Sequence, residues 1–321
     1  MAESKHDIFD CFSNNLALVD SSYKGLYRCP ICLKLFKKAD LENNELTVEH
    51  IIPKKLGGKI FTLTCKTCNN ECGTNLDVHL VNKTFAGEVL SGKSSEPLNA
   101  EIEIGDGLTR GDLYIQQKGG KSSVKFVGKP NMVHPAALEK CSKALSEGLD
   151  EIKLSGNLGY KEFNLEIALI KIAYLLLFSR LGYGYILNNP LEEIREQIRS
   201  PGKKLIKPTI MNISMESKTQ AEAIFVYYPE RYRCFGSIYT LSKLTKKTFM
   251  VALPGLSGQN SNTAELFNNY DGKKGSLKHK IIAYKPSRLE SEEPFYFSRS
   301  LWKEAFDENT KSGLPRKSEN S

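Results

Sequence analysis

Two short cysteine pairs, Cys29-Pro30-Ile31-Cys32 and Cys65-Lys66-Thr67-Cys68, constrain this chain more than any other feature. A two-residue gap lets both sulfurs of a pair face one ion, so the four thiolates can close a tetrahedral zinc site. The staple would draw two distant stretches together and hold whatever lies between them. Between them lies Val48-Glu49-His50-Ile51-Ile52-Pro53, followed by Leu56-Gly57-Gly58, and the second pair runs directly into Asn69 and Asn70. A zinc held by four sulfurs leaves Glu49 and His50 free for other chemistry. The pattern reads as a small zinc-stapled catalytic module.

The order of these features resembles the HNH endonucleases of the His-Me finger (ββα-metal) superfamily: C-x-x-C, an acidic residue before His-Ile-Ile-Pro, Leu-Gly-Gly, then C-x-x-C-Asn. The resemblance covers roughly residues 24 to 80. It implies a strand ending at the histidine, a hairpin, and a helix that returns a polar residue to one divalent ion. Position by position, His50 matches the general base that activates the attacking water. Histidine suits that task because its ordinary pKa of about 6.5 leaves it largely neutral at physiological pH. Glu49 matches the acidic metal ligand and Asn69 the ligand at the helix start, with Asn70 and His79 as alternatives to Asn69. Mg²⁺ or another hard divalent ion prefers such oxygen donors and keeps room for phosphate oxygens. Many members carry an asparagine nine residues before the last one, in mid-hairpin; here that position is Ile60.

The rival to a nuclease is a zinc ribbon that only binds nucleic acid or protein, with Glu49-His50 as a surface doublet. Cys72 falls outside the paired spacing and reads as a helix thiol. Asparagine is also a common helix cap, so Asn69 by itself says little. Lys54, Lys55, Lys59 and Lys66 flank the doublet and are the expected phosphate contacts.

A net charge of +8 agrees with a polyanionic partner, since basic side chains release counterions condensed on phosphates. DNA is the expected partner, with RNA left open, and a companion protein or signal for the larger domain. Four of the eight cysteines stand in metal-like pairs and Cys11, Cys72, Cys141 and Cys234 are scattered, which is no disulfide framework. A reducing cytoplasm is the expected compartment, and the start Met1-Ala2-Glu3-Ser4-Lys5 lacks signal-peptide chemistry. The longest apolar run, Leu165 to Leu181, is interrupted by Glu166, Lys171 and Arg180 and reads as a buried helix, too short in its uncharged part to span a bilayer.

The expected fold class is α+β: an N-terminal zinc-stapled ββα-metal module followed by a larger mixed domain. Boundaries are placed at 1–90 for the module with a leading helix over 5–20, 98–306 for an α+β domain of unknown role, and 307–321 for a disordered tail. Leu46-Thr47-Val48 reads as the strand that delivers Glu49 and His50, and Asn69 to about Phe85 as the helix. Ser91 to Pro97 has linker chemistry. Strands are expected over Ala100–Ile104, Asp112–Gln117, Ser123–Val127, Ile224–Tyr228, Tyr232–Tyr239, Thr248–Leu253 and Ile281–Tyr284, and helices over 135–149, 161–181 and 190–199. Tyr227, Tyr228, Tyr232 and Tyr239 read as core aromatics and not as a stacking platform, and Gly272 to Lys280 as a solvated basic loop. An HNH unit joined to an unrelated domain resembles the effectors of bacterial or phage defence.

Overall fold

The computed structural model describes residues 4–59, 61–104, 107–129, 135–147, 153–155, 158–187, 189–213, 221–228, 234–241, 244–255 and 280–284. Helix α1 (Lys5–Val19) starts at a capping box: the Ser4 hydroxyl accepts the Asp7 N–H while the Asp7 carboxylate accepts the Ser4 N–H. Its apolar face buries Ile8, Phe9, Phe12 and Leu16. Two short hairpins follow, β1 (Leu26–Arg28) with β2 (Leu35–Lys37), and β3 (Leu46–His50) with β4 (Phe61–Cys65), both antiparallel. The chain then runs through α2 (Lys66–Cys72), a π-helical turn (Gly73–Asp77) and α3 (Val78–Leu90).

Next come β5 (Leu98–Ile104), β6 (Gly107–Lys118), β7 (Lys121–Gly128), α4 (Pro135–Glu147), β8 (Lys153–Ser155), α5 (Glu162–Leu181), α6 (Tyr183–Ile186) and α7 (Glu192–Arg199). The last described elements are β9 (Ile210–Ile213), β10 (Ala221–Tyr228), β11 (Cys234–Leu241), β12 (Lys247–Pro254) and β13 (Lys280–Tyr284). The mixed helix and strand class expected from the sequence is what the protein has. Strands β5, β6, β7, β10, β12 and β13 cover the expected spans and extend them at one or both ends, whereas β11 is described from Cys234 to Leu241 against an expected Tyr232–Tyr239. Strand β9 had no expectation attached, because Ile210-Met211-Asn212-Ile213 is too short to display a period.

Packing divides the protein into two compact units, and the division does not follow chain order. The first comprises the described residues of Met1–Asp77, Glu166–Ser242 and Lys246–Ser321; the second those of Val78–Leu165 and Lys243–Thr245. This differs from the sequential boundary placed near residues 91–97. The reason lies in α5. Its residues 171, 174 and 178 share one face, spaced three and four apart, and that face meets the N-terminal segment. Tyr174 donates to the Pro30 carbonyl at 2.6 Å, and Phe178 stacks on Phe12 with ring centroids 4.5 Å apart. The opposite side meets a five-stranded antiparallel sheet of order β13-β10-β11-β12-β9, where Tyr239 donates to Leu169 O at 2.8 Å and Ser237 to Ala173 O at 3.3 Å. A helix covered on both sides should be apolar all round, and from Ile167 to Phe178 every residue is buried.

Helix α5 stops at Gly182, whose φ of +66° ends the helical path and whose missing Cβ leaves room for Asn15. Asn15, from α1, then accepts the Tyr183 N–H at 2.8 Å. Phe9, Phe12, Tyr27, Phe178 and Tyr183 form one aromatic cluster around this junction. Pairs of this kind each contribute about 0.5–1.5 kcal/mol beyond the area they bury. Tyr239 is core, as expected. Side chains of Tyr227 and Tyr228, and all of Tyr232, the 272–279 loop and the tail beyond 307, lie outside the described residues.

The second unit is a four-stranded antiparallel sheet of order β7-β6-β5-β8. Ala86 and Val89 of α3 pack with Leu98, Ala100 and Leu113 of that sheet to form its core. No helix among the described residues is long and apolar enough to cross a membrane.

Candidate active site and metal staple

The first cysteine pair occupies the turn between β1 and β2. Cys29 N donates to Lys34 O and Leu33 N to Cys29 O, both at 2.9 Å, and Leu33 takes φ +61°, which a branched side chain seldom adopts. The second pair sits where β4 becomes α2. Cys65 caps that helix, its sulfur accepting the Cys68 N–H at 3.4 Å, while the Cys65 N–H points at Cys29 Sγ, also at 3.4 Å. The helix therefore begins at Lys66, three residues before the expected start at Asn69, because a sulfur supplies the cap.

All four sulfurs lie within 4.8 Å of one another, and Cys32 Sγ is 3.7 Å from Cys65 Sγ. Four sulfurs each about 2.3 Å from one zinc ion stand about 3.8 Å apart, whereas a disulfide needs about 2.05 Å. The spacing fits a tetrahedral cation and not a bond. Burial pushes the Cys29 thiol well up, while hydrogen bonds from its neighbours hold Cys65 down to about 7. A cation bound here would take the four sulfurs as thiolates, so binding would release the protons they hold. Cys72 ends α2 outside the group, a thiol that burial pushes up to about 12.

Hairpin β3–β4 pairs Leu46 with Cys65, Glu49 with Thr62 and His50 with Phe61. One end of this ladder is therefore the staple and the other is the Glu49-His50 doublet. After His50 the chain turns through Pro53 and a single 3₁₀ turn, Lys54–Leu56, closed by Gly57 at φ +81°. Gly58 lies against Ile52 so closely that a Cβ would stand 1.8 Å from the Ile52 carbonyl oxygen. We expect Gly58→Ala to displace this loop and lower stability by about 1–3 kcal/mol, the usual cost of overpacking, read as a lower midpoint in urea unfolding. Lys54, Lys55 and Lys59 are exposed along this loop, and Lys66 is exposed at the other end of the ladder, next to Cys65.

Asn69 lies on α2 facing β3. Its Nδ2 donates to Thr47 Oγ1 and to Val48 O, both at 3.0 Å. A backbone carbonyl only accepts, so the amide orientation is fixed and Oδ1 is the atom Asn69 has to offer. Asn70 is exposed, and His79 Nδ1 accepts the Lys161 N–H at 3.2 Å within the second unit. Position 60 is outside the described residues.

Glu49 is 3% exposed and is not a surface doublet residue. Its Oε1 is 2.6 Å from Lys171 Nζ, and the same ammonium lies 2.7 Å from Asp77 Oδ2. Burial pushes the Glu49 carboxyl up, with Lys171 pulling it back. Burial also works against the Lys171 charge, but Asp77 and Glu49 outweigh it and hold the ammonium above its usual range. The trio is thus two carboxylates sharing one ammonium. In the sequence Lys171 stands only as an interruption of an apolar run. A charge flanked by Ile170 and Ile172 in such a run was the available signal, because buried charges are almost always paired.

Two antiparallel strands, a helix that packs back onto them and four clustered cysteines spaced as a zinc site would need make up a ββα module. Residues 29–85 match the family described as HNH endonuclease, so the chain carries an HNH domain in its N-terminal part. The match takes in both cysteine pairs, the Glu49-His50 doublet and Asn69. No curated protein and no solved structure matches the chain.

Proposed function

We propose that the protein is a metal-dependent HNH endonuclease that hydrolyses phosphodiester bonds in DNA, with zinc as the structural ion of the four cysteines. The observation that carries this reading is the anchoring of Asn69 on Val48 O, two residues before His50, inside the segment that matches the family. Glu49 and Asn69 would hold a hard divalent ion such as Mg²⁺, which when bound stabilises charge on the phosphate and the leaving 3′ oxygen. Both offer oxygen donors, as that ion requires. His50, at the open end of β3, takes the proton from the attacking water. Lys54, Lys55, Lys59 and Lys66 supply positive charge for the phosphates on either side.

The test is metal-dependent cleavage of DNA, with RNA of matched sequence as the second substrate. Asn69→Ala is expected to raise the divalent ion concentration for half-maximal cleavage by at least about tenfold, since even outer partners of a metal ligand cost that much. Metal titration of the cleavage rate measures it.

One observation favours a second reading, a zinc module that binds nucleic acid or protein without cutting: the Glu49 carboxylate already has a cation in Lys171. Binding without any metal-dependent strand break would select it. A role in bacterial or phage defence is proposed on the resemblance alone, with the larger part of the chain sensing a signal or a partner.

A further inference from the structure

Lys171 is a fully buried charge, costly to take out of water. It is 0% exposed in mid-helix, surrounded along α5 by Ile170, Ile172 and Leu175, and methionine or leucine would fill that place without desolvating a charge. Its two bonds reach different arms of the site. Glu49 belongs to β3, the strand of His50. Asp77 ends the π-helical turn that continues from α2, the helix of Asn69. The other Asp77 oxygen, Oδ1, is buried with no hydrogen-bond partner, so this carboxylate is fixed through the lysine. The ammonium takes Oε1 of Glu49, and Oε2 is the oxygen left to offer.

We propose that Lys171 is a positioning residue for the nuclease metal: it clamps Glu49 so that Oε2 faces the ion, and through Asp77 locks the α2 arm, with Asn69, at a fixed distance from β3. The inference rests on the nuclease reading given above. An ammonium has three donors radiating from one nitrogen, so it can bridge two carboxylates without the planar fork an arginine would impose. The trio retains one net negative charge, which favours a cation beside it. The lysine therefore orients one ligand and leaves the site attractive to a divalent ion.

The experiment compares zinc-loaded wild type with Lys171→Met and Asp77→Ala. Mn²⁺ binding is followed by electron paramagnetic resonance, with metal titration of DNA cleavage, zinc content and melting measured in parallel. Lys171→Met is expected to weaken Mn²⁺ binding and raise the metal needed for half-maximal cleavage about tenfold or more, with one zinc per chain retained. Cleavage at saturating metal should fall far less. A residue that only supports the fold would lower the melting temperature and leave the metal dependence where it was, and that result overturns the proposal. If Lys171→Met does not fold, Asp77→Ala decides, because its carboxylate is partly exposed and its loss cuts the same bridge. Weaker Mn²⁺ binding there supports the proposal, and unchanged binding overturns it. Wild type that neither binds Mn²⁺ nor cuts DNA removes the nuclease reading itself, a result distinct from equal metal dependence in a cutting wild type and its variants.

Discussion

Cys29→Ser or Cys68→Ser will abolish stoichiometric zinc binding and melt the N-terminal segment. In small zinc domains the ion contributes about 10–16 kcal/mol of folding free energy, as much as the whole net stability of a typical domain, about 5–15 kcal/mol. The expected loss is large because the staple joins two hairpins that have few bonds of their own: β1–β2 pairs three residues on each side and β3–β4 five. The aromatic cluster of Phe9, Phe12, Tyr27, Phe178 and Tyr183 will preserve the packing of α1 against α5 in part. Unfolding is therefore expected first around residues 26–77, seen as loss of amide protection there, with zinc content falling from one per chain to none. A strong chelator should reproduce the variant. Full zinc loss without any loss of protection would mean that the sulfurs are not what holds the hairpins.

The second large effect is chemical. His50→Ala removes the group that would accept the water proton, and general bases contribute roughly 10²–10⁴-fold to such reactions. The cleavage rate is expected to drop by about that factor while zinc content, melting temperature and DNA affinity stay at wild-type values. Affinity is expected to be spared because the proposed phosphate contacts, Lys54, Lys55, Lys59 and Lys66, are other side chains, and it should weaken with salt in both proteins alike. A variant that also loses zinc would place His50 in the fold, not in the reaction.

Much of this site was legible in the residues. Paired cysteine spacing and the Glu49-His50 doublet have few alternative meanings, and the alternation of Leu46-Thr47-Val48 is enough to mark a strand. Three features were not legible, each for a physical reason. The start of α2 at Lys66 depends on a cysteine sulfur acting as the helix cap, a role outside the usual Ser, Thr, Asp and Asn vocabulary. The expected helix from Asn69 to about Phe85 is interrupted, because at Gly73 the chain widens into a π turn that brings Asp77 to Lys171. Lys171 itself lies 122 residues from Glu49, and no local period can announce a partner that far away. The same long-range packing explains why the units do not follow chain order. Composition changes near Ser91, whereas the contacts of α5 with the hairpins join residues far apart in the chain and leave no local mark in composition.

The most direct measurement of the central claim is conversion of supercoiled plasmid by purified wild type and His50→Ala in Mg²⁺, Mn²⁺ or chelator, with bound zinc quantified in the same samples. The account predicts nicked or linear DNA with the divalent ion and wild type, none with His50→Ala, and one zinc per chain in both proteins. Equal cleavage by the two proteins, or intact plasmid with fully zinc-loaded wild type in either metal, would contradict it.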